Sequence, residues 1–197
     1  MKKYRREGFS SLFCLGDIYV YEGRKRKYKK IDDVDFQVLK LTDLFYDTYP
    51  SKKYPEILVK KQRGYNCLLI QSHYDYFICV PFRSDIRHKY AFLFKDTVRS
   101  KKHSSGLDYT KSIIVKNPDY ITSYDALIDK DEYMKTQKYI DKIKEEVLEY
   151  IDGYVWHMNN IKVMDQREFL RKYKMSTLKY FHTELQIKET KENSSEQ

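Results

Sequence analysis

Twelve consecutive residues, Pro81-Phe82-Arg83-Ser84-Asp85-Ile86-Arg87-His88-Lys89-Tyr90-Ala91-Phe92, gather a hydroxyl, two guanidinium groups, an ammonium and an imidazole. They leave one apolar run, Tyr76 to Val80, and enter another, Tyr90 to Phe94, so they read as a strand-to-strand connection. Loops held between rigid strands are where binding and catalytic groups concentrate. Cations beside a hydroxyl and a titratable ring suit a phosphodiester better than an amide or a sugar. The chain is therefore expected to handle RNA.

Cleaving RNA without a metal makes three demands. A base must take the 2′-OH proton, a group must neutralise the pentavalent phosphorane, and an acid must protonate the departing 5′-oxygen. A positioned acid or base supplies roughly 10²–10⁴-fold, and stabilisation of the developing charge is often the largest contribution. Arg83 and Arg87 offer charge, Ser84 a donor to a phosphate oxygen, and His88 or Lys89 proton transfer. Lys60, Lys61 and Arg63 lie just ahead of the neighbouring strand and can meet them across a sheet.

Other chemistries lack their residues. The chain has no phosphate-cradling Gly-rich loop, no G-x-S-x-G and no H-E-x-x-H. Its five histidines, His73, His88, His103, His157 and His182, are scattered. Cys14, Cys67 and Cys79 form no C-x-x-C pair, which argues against a disulfide framework or zinc site and fits a reducing cytosol. No metal and no cofactor are expected. Cys67 and Cys79 sit in apolar runs and read as small buried hydrophobes. No apolar run approaches the roughly 18–20 residues of a membrane span, and the basic start Met1-Lys2-Lys3-Tyr4-Arg5-Arg6 is not followed by a signal-peptide core.

Net charge is +9 but unevenly spread. Residues 1–30 hold ten Lys/Arg against three acids (+7), and 31–51 hold one against five (−4). Residues 52–102 hold twelve against four (+8), and 103–197 hold fifteen against seventeen (−2). Two cationic blocks apart from a near-neutral remainder are an electrostatic footprint for a polyanion, nucleic acid first and an anionic membrane second.

The elements that must position these residues belong to an α+β fold. Residues 1–35 read as a detachable basic extension, with a hairpin of Leu12 to Leu15 and Ile18 to Tyr21 around Gly16-Asp17. The run Arg24 to Lys30 repels itself and reads either as an RNA-gripping arm or as an extension outside the fold. Asp32-Asp33-Val34-Asp35 marks the boundary of a domain over 36–187. Strands are expected at Phe36 to Leu41, Tyr65 to Gln71, Tyr76 to Phe82, Tyr90 to Phe94 and Ser112 to Val115, in a mixed or antiparallel sheet. Thr42-Asp43 should cap a short helix over Leu44 to Tyr49, stopped by Pro50, and Pro55 to Lys61 should form a helical turn. Lys95 to Gly106 reads as a mobile basic loop. In 131–160, Ile140, Ile143, Val147, Ile151, Tyr154 and Met158 recur at helical spacing, predicting a long helix with Trp156 as a core anchor. A further helix covers Gln166 to Tyr173, Ser176 is an N-cap with His182 on the helix beyond it, and 188–197 are a polar, disordered tail.

Four blocks together resemble a known family. Tyr65-Asn66-Cys67-Leu68-Leu69-Ile70, Phe77 to Tyr90 with Pro81-Phe82-Arg83-Ser84, Gly106-Leu107-Asp108-Tyr109-Thr110-Lys111, and Leu178-Lys179-Tyr180-Phe181-His182 look like the TenpN-type toxins, relatives of ToxN and AbiQ. The likeness covers roughly Phe36 to Leu185. It implies a compact, MazF-like twisted barrel or sheet core with added helices. It also implies a metal-independent endoribonuclease toxin of a type III toxin–antitoxin system, leaving 2′,3′-cyclic phosphate and 5′-OH ends. Its inhibitor would be a repeated pseudoknot RNA that the toxin cuts from a precursor and binds in a closed toxin–RNA assembly. The outcome would be growth arrest and abortive infection against phage, in the cytoplasm.

Ser84, three residues after Pro81, matches the serine at the scissile phosphate in such enzymes, and Arg83 stands where ToxN has threonine. Arg63 falls near the position of ToxN's lysine before its equivalent strand, with Lys61 as alternate. ToxN's lysine two residues after the serine meets Ile86, so Arg87, His88 or Lys89 must substitute, and acid and base stay unassigned. The RNA-binding set carried over or inferred is Lys60, Arg87, Lys101, Lys102, Asp108, Tyr109, Lys111, Lys179 and His182. Several candidates have a plainer reading: His88 as a surface residue, His182, Asp108 and Tyr109 as structural, and Lys101, Lys102 and Lys111 as solvated. Two rival functions stand beside the toxin, a non-catalytic RNA-binding module on a similar β core and a membrane-surface protein working through residues 1–30.

Overall fold

The structure is a computed structural model and describes residues 17–22, 25–30, 37–58, 67–71, 76–123 and 126–188. It divides into two units, Met1–Asp35 and Phe36–Gln197. In the first, β1 (Asp17–Glu22) pairs antiparallel with β2 (Lys25–Lys30), Glu22 opposite Lys25 and Asp17 opposite Lys30. The hairpin is displaced from the expected one. Within the cationic run, Lys25–Lys30 is a strand, its extended backbone fixed by an antiparallel partner.

The second unit is an open antiparallel sheet with helices packed on it. Its strands are β3 (Gln37–Leu39), β4 (Cys67–Gln71), β5 (Phe77–Arg83), β6 (Ala91–Leu93), β7 (Gly106–Asp108) and β8 (Ile113–Val115). They run in the order β3-β4-β5-β7-β6, with β8 also on β5. Every pairing is antiparallel, and no ladder joins β3 to β6 among the described residues, so the sheet is not closed. The run Ile78 to Phe82 of β5 is buried, which is why its apolar content is continuous rather than alternating.

One edge of β5 carries two partners. Phe77, Ile78 and Cys79 pair with Val115, Ile114 and Ile113, while Phe82 and Arg83 pair with Leu107 and Gly106. Between these ladders five residues, 108–112, face only two on β5, Val80 and Pro81, so three are in excess. The excess leaves the sheet as a 3-10 turn, Tyr109–Lys111. Extra residues of this kind bend a strand and re-aim its side chains, and they concentrate beside functional sites.

Helix α1 (Asp43–Thr48) starts after Thr42 and ends before Pro50 as expected, although the Thr42 hydroxyl donates to Asp119 O (2.8 Å) instead of capping. Pro55 to Leu58 is a turn, closed by Ile57 N donating to Tyr54 O (3.0 Å), not a helix. The long helix expected from the stripe in 131–160 is α3 (Ile140–Met158), and the residues ahead of it form a separate helix, α2 (Lys130–Lys138), parted from it at Tyr139 (φ −116°, ψ 21°). The apolar stripe falls wholly on α3, where Ile140, Ile143, Val147, Ile151 and Tyr154 are buried. Trp156 is 39% exposed and anchors nothing at the centre, because it lies off that stripe. Gly153 admits the close approach of α4 (Gln166–Tyr173): a Cβ there would stand 2.8 Å from Tyr173 Oη. Tyr150 and Tyr154 of α3 pack on Tyr173 with ring centroids 4.9 and 5.1 Å apart.

Lys95 to Gly106 is not a loose loop. Ser105 is buried and donates to Glu132 Oε1 (2.9 Å), Val98 N donates to Asp131 Oδ2 (2.6 Å), and Arg99 pairs with Asp129 (2.6 Å). Acidic side chains early in α2 hold this segment, an arrangement that its own composition does not announce. No helix among the described residues is long and apolar enough to cross a membrane.

Candidate functional site

The detour at 108–112 brings the third resemblance block against the end of β5. Gly106 makes this possible, since a Cβ there would lie 2.2 Å from Phe92 O, and no side chain fits between β6 and β7. Asp108 follows, wholly enclosed. Its Oδ1 accepts from Thr110 N (2.9 Å) and Thr110 Oγ1 (2.7 Å), capping the 3-10 turn, and its Oδ2 accepts from Arg83 Nη1. His88 Nε2 lies 3.4 Å from Oδ1. A carboxylate out of water is tolerable only with such partners. Asp108 thus fixes both Arg83 and His88, each of which keeps part of its surface in solvent.

Around this centre the residues expected to act together divide. Ser84 follows directly on Arg83, half-buried, and its hydroxyl has no hydrogen-bond partner among the described residues. Asp85 takes a left-handed turn (φ 58°), and Ile86 is buried with its N–H on Ser104 O (2.9 Å). That burial explains why no charged side chain occupies Ile86. Arg87 and Lys89 are exposed, Lys89 Nζ standing 5.7 Å from the Tyr90 ring centroid. His88 Nδ1 is buried without a hydrogen-bond partner.

Lys111 is not a solvated cation. It is buried, and its Nζ donates to Met175 O (2.6 Å), just before the 3-10 turn Thr177–Tyr180 that Ser176 caps through Leu178 N (3.3 Å). Desolvation pulls its pKa below the ordinary lysine value; Asp108 and Glu56 oppose that pull, while Arg83 and Lys179 reinforce it. Lys179 pairs with Glu56 Oε1 (2.8 Å), and Tyr180 Oη donates to Glu56 Oε2. Burial raises the Glu56 pKa, but the hydrogen bonds from Lys179 and Tyr180 outweigh it and hold the carboxyl below its usual range. Burial and the Glu56 hydrogen bond push Tyr180 up to about 12.

The remaining candidates sit elsewhere or serve the fold. Tyr109 is buried with Oη donating to Glu146 Oε2 (2.7 Å), and burial pushes its phenol well above the ordinary range. His182 lies in a turn, not on a helix, with Nε2 2.8 Å from Tyr154 Oη. Lys101 and Lys102 are exposed on a turn that His103 ties to Asp85 (3.1 Å). Lys60, Lys61 and Arg63 lie outside the described residues.

Sequence reasoning missed Glu56 and Lys172. Lys172 Nζ stands 5.9, 5.5 and 5.1 Å from the rings of Tyr90, Tyr150 and Tyr173, and burial pulls its pKa down. Neither residue lies in a resemblance block, and a lone Glu after a Pro or a Lys before a Tyr carries no signal. No three His, Cys, Asp or Glu side chains gather as a metal-donor set among the described residues. The arrangement can hold one or two phosphate oxygens with Arg83 and Ser84, and it places an imidazole and a buried ammonium by the same carboxylate. The chain matches no family model, no curated protein and no solved structure.

Proposed function

We propose that the chain is a metal-independent endoribonuclease toxin of the ToxN, AbiQ and TenpN kind, with a MazF-like core. It cleaves RNA to 2′,3′-cyclic phosphate and 5′-OH ends in the cytoplasm, and a repeated pseudoknot RNA restrains it. The observation that carries this reading is the buried Asp108 holding both Arg83 and His88, with Ser84 next to Arg83 in the chain and its hydroxyl without a hydrogen-bond partner among the described residues. In the reaction Ser84 and Arg83 take the non-bridging phosphate oxygens, the arginine neutralising charge as the phosphorane forms. His88 takes the 2′-OH proton at Nε2, the nitrogen nearer Asp108, since Nδ1 is buried, and the carboxylate then faces the imidazolium. Exposed Arg87, Lys89, Lys101 and Lys102 supply the diffuse attraction a polyanion needs.

The non-catalytic RNA-binding module has one observation in its favour: Arg83 and Lys179 are both already paired with carboxylates, as in a structural network. Ser84→Ala separates the readings. In EDTA, with a mixed pool of cellular RNA, the wild type should produce fragments with cyclic-phosphate ends. The variant should lose cleavage by ~10²-fold or more while keeping most of its RNA affinity. RNA bound by the wild type but never cut would establish the binding module.

A further inference from the structure

We infer that the Lys111 ammonium is the general acid of this cleavage, the group that hands its proton to the departing 5′-oxygen. The inference rests on the ribonuclease reading and fills the role which that reading leaves open. Among the described residues three cations stand in this cluster: Arg83, Lys111 and Lys179. A guanidinium does not give up its proton in a protein, which leaves Arg83 to electrostatics. Lys179 is exposed and paired with Glu56. Lys111 alone among the described lysines is buried, and the Met175 carbonyl pins its Nζ.

Its surroundings suit the task. Among the charges facing it are Asp108 from β7, Arg83 from β5, Glu56 from the turn after Pro55 and Lys179 from the 3-10 turn. Desolvation is the largest influence and makes the proton easier to release. The position follows from the three-residue excess, which lifts Lys111 out of the sheet ladder into the 3-10 turn, where its Nζ meets Met175 O within the electrostatic reach of Asp108 and Arg83.

The step balances without a co-reactant. The O2′ oxygen attacks phosphorus as its proton passes to His88, and the O2′–P bond forms. The P–O5′ bond breaks, its electron pair stays on O5′, and Lys111 gives O5′ a proton. Exchange with water restores both side chains.

The test uses the full chain and a synthetic RNA containing a cut site mapped with the wild type. The RNA is made once with the normal 5′-oxygen and once with sulfur at that bridging position, because a thiolate leaves without being protonated. Lys111→Met and Lys111→Arg should lose ~10²-fold or more on the oxygen substrate and cut the sulfur substrate within a few-fold of the wild type. Equal losses on both substrates would overturn the assignment. Lys111→Arg keeps the charge and a donor for Met175, so it decides the question even where the methionine variant does not fold. A wild type for which no cut site can be mapped in any RNA would instead remove the ribonuclease reading itself.

Discussion

Replacing Asp108 by Asn tests whether one buried charge organises the site. The carboxylate is fully enclosed and accepts from Arg83 Nη1, Thr110 N and Thr110 Oγ1, with His88 Nε2 3.4 Å away. An amide keeps an oxygen for the two Thr110 donors but turns its NH₂ toward the guanidinium, donor against donor. A hydrogen bond to a charged partner contributes about 1.5–3 kcal/mol. The Arg83 side chain is 26% exposed and can turn to water, which lowers the figure. The expected loss is therefore about 2 kcal/mol, roughly a 30-fold change in the ratio of folded to unfolded protein. Urea unfolding should show it as a lower midpoint with an unchanged slope. Combining it with Arg83→Met isolates the pair, and the coupling should be about 1–2 kcal/mol. A coupling under ~0.5 kcal/mol, the error of additivity, would mean that Asp108 does not hold Arg83, and the proposed site would lose its centre.

Two further outcomes follow from particular contacts. Gly106→Ala puts a Cβ 2.2 Å from Phe92 O and 3.0 Å from Leu93 Cα, both backbone atoms, so β6 and β7 must separate. Thermal unfolding should show a loss near the upper end of overpacking, about 3 kcal/mol, and a loss under ~1 kcal/mol would contradict so close an approach. Glu56 has its folded pKa below the unfolded value of about 4.3, so it stabilises the fold above that value. This contribution disappears as pH falls through the folded pKa. Glu56→Gln should flatten the acid limb of the stability–pH curve and let Tyr180 titrate below about 12, read by NMR of labelled tyrosine. An unchanged Tyr180 titration would show that the phenol is not held by Glu56.

Local signals in the chain were sufficient for elements that are local. Periodicity places α4 at Gln166–Tyr173, Pro50 ends α1, and the unbroken apolar run locates β5 within one residue. What escaped depends on partners far along the chain. β7 is three residues long and exists because β5 and β6 flank it, so no propensity marks it. The stripe on α3 was legible, but the break at Tyr139 was not, since α2 carries its own polar sequence without Gly or Pro at the junction. For the site, the loop after β5 and the Gly106 to Lys111 block were visible as residue types. That Lys111 would be enclosed follows only from the Met175 carbonyl, 64 positions away. The heavy use of tyrosine, 20 residues, had no assigned purpose in sequence. In the fold many form internal contacts, as in the run Phe45, Tyr49, Tyr54 and Tyr180 that ends at Glu56.

The chain between Leu107 and Ile113 is fastened at both ends to the same strand. Its closure entropy is settled when the sheet forms, before any anion arrives. Ligand capture then does not have to order this stretch. Substitutions there can alter chemistry while every rung of the two ladders stays in place, so affinity and turnover are free to change without re-threading the sheet.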